Sequence, residues 1–256
     1  MNNDSHRVKQ PLASARLGIA GAAGRMGKAM ISELQAGNYP NLKLVRTFVS
    51  EGDPLRGKYL NESVRYETVS ESSLKNIDVF IDFTEPDATL QFIPLLREFR
   101  CPAVIGTTGH SKEQKEEIKK LSKSQAVLLA PNTSIGVHVL ISLLENAAKL
   151  LPKTFTPHII DVHHRDKKDA PSGTAKQLSE TIRAVRNDVT IESIRGGDVM
   201  GEHTILFLGE GERLELTHRA ASRTIFARGA LEAAQWLITQ KPGLYSMKDF
   251  LEGTRE

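Results

Sequence analysis

Hydrophobic positions fall in short solid runs through the first half of the chain, and most runs lead into a segment of helical spacing. Arg16–Gly21, Asn41–Val49, Asn76–Phe83, Cys101–Gly106 and Gln125–Ala130 have the length and apolar content of buried strands. Between them, Lys28–Gln35 places Met30, Ile31 and Leu34 at helical spacing. Ala88–Phe99 suits a helix that Pro94 is expected to kink or interrupt, and Ser111–Ser124 is a Lys- and Glu-rich helix with Ser111 as its cap. Leu55–Glu71 shows no clear pattern. Strands alternating with helices imply a parallel sheet with helices on both faces.

The second half changes character. Ser134–Leu151 reads as a long apolar helix whose stripe is Ile135, Val139, Leu140, Leu143, Leu144 and Ala147, with His138 a packed histidine. Pro157–Val162 is strand-like and Ala175–Arg186 helical. Four strand candidates come next in near succession: Thr190–Ile194, Glu202–Leu208, Glu212–Thr217 and Ser222–Phe226. Strands in such sequence predict a mixed or antiparallel sheet, hence a second domain. Arg228–Thr239 is a helix ended by Lys241-Pro-Gly243, and Leu244–Glu256 is too short to be a domain and must pack on one.

Glycines mark the end of the first strand. Gly21-Ala22-Ala23-Gly24-Arg25-Met26-Gly27 lies between a strand and a helix, where glycine allows a tight turn, close approach to a pyrophosphate and close helix–strand packing. Ligands of open parallel sheets bind beyond the carboxyl ends of the strands, and Phe83-Thr84, Gly106–Thr108 and Ala130–Thr133 lie at such ends. A Rossmann-type dinucleotide site is the expectation.

A second concentration of chemistry is Asp161–Ala175, Asp-Val-His-His-Arg-Asp-Lys-Lys-Asp-Ala-Pro-Ser-Gly-Thr-Ala. A strand end crowded with His, Lys and Arg, running into a helix N-terminus, can hold a carboxylate or phosphate. The adjacent imidazole and ammonium groups can move protons at neutral pH. The blander alternative is a solvated loop in which Ser172 or Thr174 only caps a helix. A metal site of His163, His164, Asp166 and Asp169 is opposed by the Lys and Arg charges interleaved with it, so no metal is expected. Tyr39-x-x-x-Lys43 matches a short-chain dehydrogenase pair in letters, but Pro40 denies the helix that pair needs. Cys101, before Pro102 at the start of a buried strand, is expected to be structural. Two halves of this kind suit a nicotinamide enzyme for a small anion. Other two-domain dehydrogenases, and a sensor that holds NAD(P)H without turnover, are the alternatives.

Composition narrows the field. The 256 residues allow one large or two modest domains, and 39% apolar with 25% charged residues is a soluble globular balance. A net charge of +3 does not imply nucleic-acid binding. The single cysteine excludes a disulfide framework and fits a reducing cytoplasm. No apolar run approaches a membrane span, and the polar Met1–Ala15, without a signal-peptide core, is expected to be a disordered tail.

Taken together, the motifs resemble the 4-hydroxy-tetrahydrodipicolinate reductase (dihydrodipicolinate reductase) family of bacterial and plant diaminopimelate and lysine synthesis. The resemblance runs from Arg16 nearly to the C-terminus. It rests on Gly21–Gly27, Asp82-Phe-Thr-Glu-Pro86, Gly106-Thr-Thr-Gly109, Asn132-Thr-Ser-Ile-Gly-Val137, His163–Thr174, Gly201-Glu-His-Thr204, and Glu212–His218 with Ser222-Arg223. It implies an α/β fold: a Rossmann domain over residues 1–133 completed by 241–256, and a mixed-sheet substrate and tetramerisation domain over 134–240. It further implies His163 as proton donor or acceptor, Lys167 as the proton donor, and His164, Gly173 and Thr174 as contacts to a small dicarboxylate. Gly21, Ala22, Ala23, Gly24, Arg25, Met26, Gly106, Thr107, Thr108, Ala130, Pro131, Asn132 and Thr133 match the family's cofactor-binding segments. Where family members commonly place an acid after the second strand, this chain has Val49 and Ser50. NADH and NADPH are therefore both expected as cofactors, with modest NADPH preference. Asp166 stands at a variable position.

Overall fold

The structure, a computed structural model, describes residues 14–254. The chain begins with β1 (Ala15–Ala20), α1 (Arg25–Gln35), β2 (Leu42–Phe48), β3 (Tyr66–Glu67), α2 (Glu71–Leu74) and β4 (Val79–Asp82). Next come α3 (Pro86–Glu98), β5 (Ala103–Ile105), α4 (Lys112–Leu121), β6 (Ala126–Leu129), α5 (Ile135–Leu150), β7 (Thr156–His163) and α6 (Gly173–Arg183). It closes with β8 (Thr190–Arg195), β9 (Glu202–Leu208), β10 (Arg213–Arg219), α7 (Thr224–Leu237), β11 (Gly243–Tyr245) and α8 (Met247–Gly253). Two compact units result, one up to Pro131 plus Ala230–Ser246, the other Asn132–Gly229 plus the chain from Met247.

In the first unit seven strands form one parallel sheet in the order β11-β6-β5-β4-β1-β2-β3. The strand order reverses at β1, flanked by β2 and β4, so the glycine turn after β1 sits at the switch point where such sheets bind ligands. Phe48, Phe80 and Phe92 form the aromatic centre of the core, with ring centroids 5.0–6.2 Å apart. Helix α1 starts at Arg25, earlier than the apolar spacing indicates, because the glycine turn feeds directly into it. Helix α3 starts at Pro86, whose fixed φ suits a first helical turn, and it continues through Pro94 without interruption. Ser111 caps α4 in a reciprocal capping box with Gln114.

The second unit is a four-stranded mixed sheet, β10-β9-β7-β8, with β7 parallel to β8 and antiparallel to β9. Leu140, Leu144 and Ala148 of α5 and Ala175, Leu178 and Ile182 of α6 pack with Ile159, Ile205 and Phe207 of the sheet. The buried face of α5 is therefore not the whole stripe expected: Val139 and Leu143 are 39% and 52% exposed, while Val137 and Ala148 are buried.

Two further expectations change. Ser222–Phe226 is not a strand; β-branched Thr224 and Ile225 begin α7, whose helical period is set by buried Ala227, Ala230, Leu231, Ala234 and Leu237. The C-terminal segment divides: β11 joins the first sheet beside β6, while α8 belongs to the second unit, where Lys248 pairs with Glu145 at 3.2 Å. The boundaries thus fall at Pro131 and within α7 rather than after residues 133 and 240. Most of the expected N-terminal tail lies outside the described residues, although Ala15 already belongs to β1. Among the described residues, no helix is long and apolar enough to cross a membrane.

Candidate active site

The glycine turn has the shape of a cradle. Gly21 adopts φ +75°, and a Cβ there would lie 2.2 Å from the Phe83 carbonyl oxygen. A Cβ on Gly27 would lie 2.4 Å from the Gly21 carbonyl oxygen, so the first turn of α1 can press against the strand end only without a side chain. Gly24 occupies the N-cap with no side-chain cap hydrogen bond, and the first turn holds no acid. The first N–H groups of α1 are thus left for an anion, with Arg25 and Lys28 exposed beside them. This cradle fits a dinucleotide pyrophosphate. Nearby, Asp82 is buried and bonded to Thr84 and Thr89, and Thr107 accepts from the Thr84 N–H at 2.9 Å. Burial raises the Asp82 carboxyl against these hydroxyl contacts. Gly106 packs against the Phe83 ring, and Thr108 is exposed.

The second unit builds its chemistry from strand alternation. Along β7, Ile159, Asp161 and His163 face inward in turn. Ile159 pairs with Ile191 and Ile205 in an apolar row, but the next row is Ser193, Asp161, His203 and His218 across β8, β7, β9 and β10. A fully buried carboxylate is costly unless its charge is met. Here Asp161 Oδ2 accepts from Arg195 Nη2 at 2.9 Å, from the Ser172 N–H at 3.0 Å and from Ser193 Oγ at 3.2 Å. His163 Nδ1 and His203 Nε2 stand 2.9 and 3.3 Å from Oδ1. Burial alone would raise the Asp161 carboxyl, but these contacts outweigh it and hold the group well below the carboxylate range. His218, at the end of the row, is depressed by burial and then by the neighbouring His203, and its Nε2 is 3.4 Å from Ser134 Oγ.

Beyond His163 the chain turns sharply, with the Lys167 N–H donating to the His164 carbonyl at 3.2 Å. Lys167 Nζ lies 2.8 Å from Asp169, whose carboxyl it lowers. His164 is half-buried. Ser172 caps α6 through the Ala175 N–H, and the N–H groups of Gly173 and Thr174 have no acceptor within the helix by position. A Cβ on Gly173 would meet nothing within 4 Å, so there is open space at this N-terminus. The second unit thus combines an imidazole, an ammonium group and an anion-binding helix end.

The expected cofactor segment Ala130–Thr133 is divided. Ala130 and Pro131 end the first unit, but Asn132 and Thr133 belong to the second. There Asn132 Nδ2 donates to Thr174 Oγ1 at 3.0 Å and Thr133 Oγ1 to the Phe226 carbonyl at 2.7 Å, so these two side chains are engaged within the second unit. His138 is the packed histidine expected: its Nε2 meets the Asn132 carbonyl at 2.8 Å and burial lowers it. Burial pushes the Cys101 thiol up to about 12, which suits a structural cysteine. The sequence motifs give no role to Asp161, Arg195 or His203, and to Ser172 only that of a helix cap, which it fills. The available signal is alternation, since Asp161 and His163 are two apart on a strand. Asp161, His163 and His203 have ligand atoms within 4.8 Å of one another, a spacing compatible with a metal ion. Arg195 and the Ser172 N–H already stand on the same carboxylate, which makes a hydrogen-bonded network the better description.

Comparison with known proteins agrees with this arrangement. Residues 15–133 match the family model for the dihydrodipicolinate reductase N-terminus, and residues 136–251 that for its C-terminus. A 4-hydroxy-tetrahydrodipicolinate reductase of Acinetobacter baumannii is 41% identical over 93% of this chain and 97% of that protein. One from Nitrosomonas europaea is 39% identical over 92% and 97%. The dipicolinate-bound dihydrodipicolinate reductase of Paenisporosarcina sp. TG-14 superposes with a TM-score of 0.79 at 25% identity, covering 91% of this chain and 97% of that one. The chain belongs to the dihydrodipicolinate reductase family.

Proposed function

We propose that the chain catalyses the NAD(P)H-dependent reduction of 4-hydroxy-tetrahydrodipicolinate to tetrahydrodipicolinate with loss of water, in diaminopimelate and lysine synthesis. The reaction consumes one hydride and one proton, and the substrate hydroxyl departs as water. The bound nicotinamide supplies the hydride; the protein must hold the dicarboxylate and deliver the proton. Lys167 is the proton donor, His163 the group that donates or accepts the proton beside it, His164 orients the substrate, and the N–H groups of Gly173 and Thr174 receive a carboxylate. Gly21–Met26 would hold the pyrophosphate, and Gly106–Thr108 and Ala130–Thr133 border the cofactor, the last two of these through backbone. The observation that carries the reading is the placement of His163 and the α6 N-terminus around one buried carboxylate, since a protein that only sensed NAD(P)H would need neither.

A coupled assay in which the substrate is generated in situ, with NAD(P)H absorbance monitored, tests it. Loss of absorbance dependent on both substrate and protein is expected. No oxidation by folded protein that still binds NAD(P)H would reject the enzymatic reading.

The same reading extends to a cytoplasmic homotetramer assembled through the second unit. It is supported by the buried single cysteine and by Ile194 and Leu208, 52% and 36% exposed on the sheet face opposite Ile159 and Phe207. Light scattering showing a stable, active monomer would overturn the assembly.

A further inference from the structure

We propose that Asp161 is the positioning residue of this site, one carboxylate that orients the His163 imidazole and anchors the first turn of α6. The inference rests on the proton-transfer role proposed for His163.

The two oxygens of Asp161 divide the work. Oδ1 faces the imidazoles, with His163 Nδ1 at 2.9 Å and His203 Nε2 at 3.3 Å. Neither Nδ1 nor Oδ1 has a hydrogen-bond partner among the described residues, so the negative charge standing 2.9 Å away favours the tautomer with its proton on Nδ1 and leaves Nε2 to exchange with substrate. Oδ2 faces the chain that binds the substrate: the Ser172 N–H reaches it at 3.0 Å, and Ser172 is the N-cap from which Gly173 and Thr174 extend. Arg195 spans both tasks, donating to Oδ2 at 2.9 Å, to the Asp161 carbonyl at 3.1 Å and to the Asp169 carbonyl at 2.8 Å. Proton donor and carboxylate-binding turn therefore share one rigid anchor in the sheet.

Two neighbours complete the arrangement. His203 stands edge-on to His163, ring centroids 5.2 Å apart, and its Nε2 also lies 3.2 Å from Ser172 Oγ, closing the loop between strand and helix. A Cβ on Gly201 would lie 3.0 Å from His163 Nε2, so a side chain there would crowd the exchanging nitrogen. Among the described residues, the charged and titratable groups that strand pairing brings beside His163 and its carboxylate are Arg195 from β8, His203 from β9 and, farther along the row, His218 from β10.

Three measurements on the full-length protein test the assignment. In the wild-type protein without ligands, nitrogen-15 spectra of labelled histidine, with the His163 signal identified by its loss in His163→Gln, should show the proton on Nδ1. In Asp161→Asn, kcat should fall by at least about tenfold, bounded by the ~10²–10⁴-fold expected for removing a general acid. The substrate KM should rise as well, because the α6 turn is loosened, while NADPH affinity measured by fluorescence stays within about twofold. The pH profile of kcat should change as well, because the fixed negative charge beside the transferring imidazole is gone. Asp161→Glu, which keeps the charge, should recover the Nδ1 signal and part of kcat. A His163 proton found on Nε2 alone overturns the proposal without any variant. So does a folded, NADPH-binding Asp161→Asn with unchanged kcat and pH profile. An inactive wild type would reject the proposed reaction instead, and the spectra would still decide the positioning.

Discussion

Gly229 and the carbonyl oxygen of Thr133 meet with no room for a side chain, since a Cβ on the glycine would lie 1.8 Å from that oxygen. The Thr133 hydroxyl donates to the Phe226 carbonyl at 2.7 Å, so α7 is fastened to the Asn132–Ser134 turn at two points one helical turn apart. In an ordinary helix interior Gly→Ala is stabilising by up to ~1 kcal/mol. Here backbone stands against backbone, and overpacking of this kind costs about 1–3 kcal/mol or more. Gly229→Ala should therefore lower the thermal midpoint, reversing the usual sign. A raised midpoint would show that α7 can withdraw from Thr133 at little cost.

His163→Ala and Lys167→Ala should each reduce kcat by ~10²–10⁴-fold and leave NADPH affinity almost unchanged. Both side chains belong to the second unit, apart from the glycine cradle. His164→Ala should act chiefly on KM, because an orienting group serves bound substrate and transition state alike. Steady-state kinetics with cofactor saturating separates the two patterns. Near-normal kcat in either of the first two variants would remove that residue from the chemistry.

Acid should find the Asp161 network early. In the folded protein this carboxyl is held well below its ordinary range, whereas in the unfolded chain it titrates near ~3.9. A group depressed by folding stabilises above its unfolded value, and that contribution disappears as pH falls toward the folded value. The urea midpoint of the wild type should thus exceed that of Asp161→Asn most at neutral pH, and the gap should narrow from about pH 5 to pH 3. A gap that ignores pH would mean that folding leaves the Asp161 carboxyl unshifted, and one that widens toward acid would mean that it is protonated in the folded state.

The legible parts of the molecule are those written locally. The parallel sheet, the glycine turn and the polar stretch after β7 can be read because strand, turn and helix signals adjoin one another in sequence. Asp161 is visible as a letter but not as an anchor, because its partners Ser172, Ser193, Arg195 and His203 lie 11 to 42 residues away and meet it only through strand pairing and, for Ser172, the return of the chain into α6. Ser222–Phe226 misleads because β-branched Thr224 and Ile225 suit a strand, whereas the buried alanines farther along α7 decide the outcome. In α5 the apolar stripe is broad enough to cover two faces, so spacing alone does not tell buried Leu144 from exposed Leu143. The split of the C-terminal segment between β11 and α8 depends on pairing with β6, a contact that no local pattern announces.

Cofactor choice turns on the residues just after β2. A carboxylate there would accept hydrogen bonds from ribose hydroxyls and repel a 2′-phosphate. Val49 can do neither, and its N–H is used at 3.0 Å by the Glu67 carbonyl. The two nearby acids have other occupations: Asp53 accepts from the Leu55 N–H at 2.8 Å, and Glu51, 83% exposed, lies 3.9 Å from Arg56. Ser50 is exposed and can donate to either form of the ribose. Arg25 and Lys28, exposed around the glycine turn, add positive charge without the paired geometry of an arginine clamp. Discrimination against NADPH is thereby removed while little is built in its favour. Both cofactors should support turnover, with kcat/KM favouring NADPH by no more than about tenfold, or roughly 1.4 kcal/mol. The comparison must be made at one salt concentration, because an exposed phosphate contact weakens as ions screen it. A strong NADH preference would mean that Glu51 leaves Arg56 to take the ribose, and Glu51→Gln should then abolish that preference.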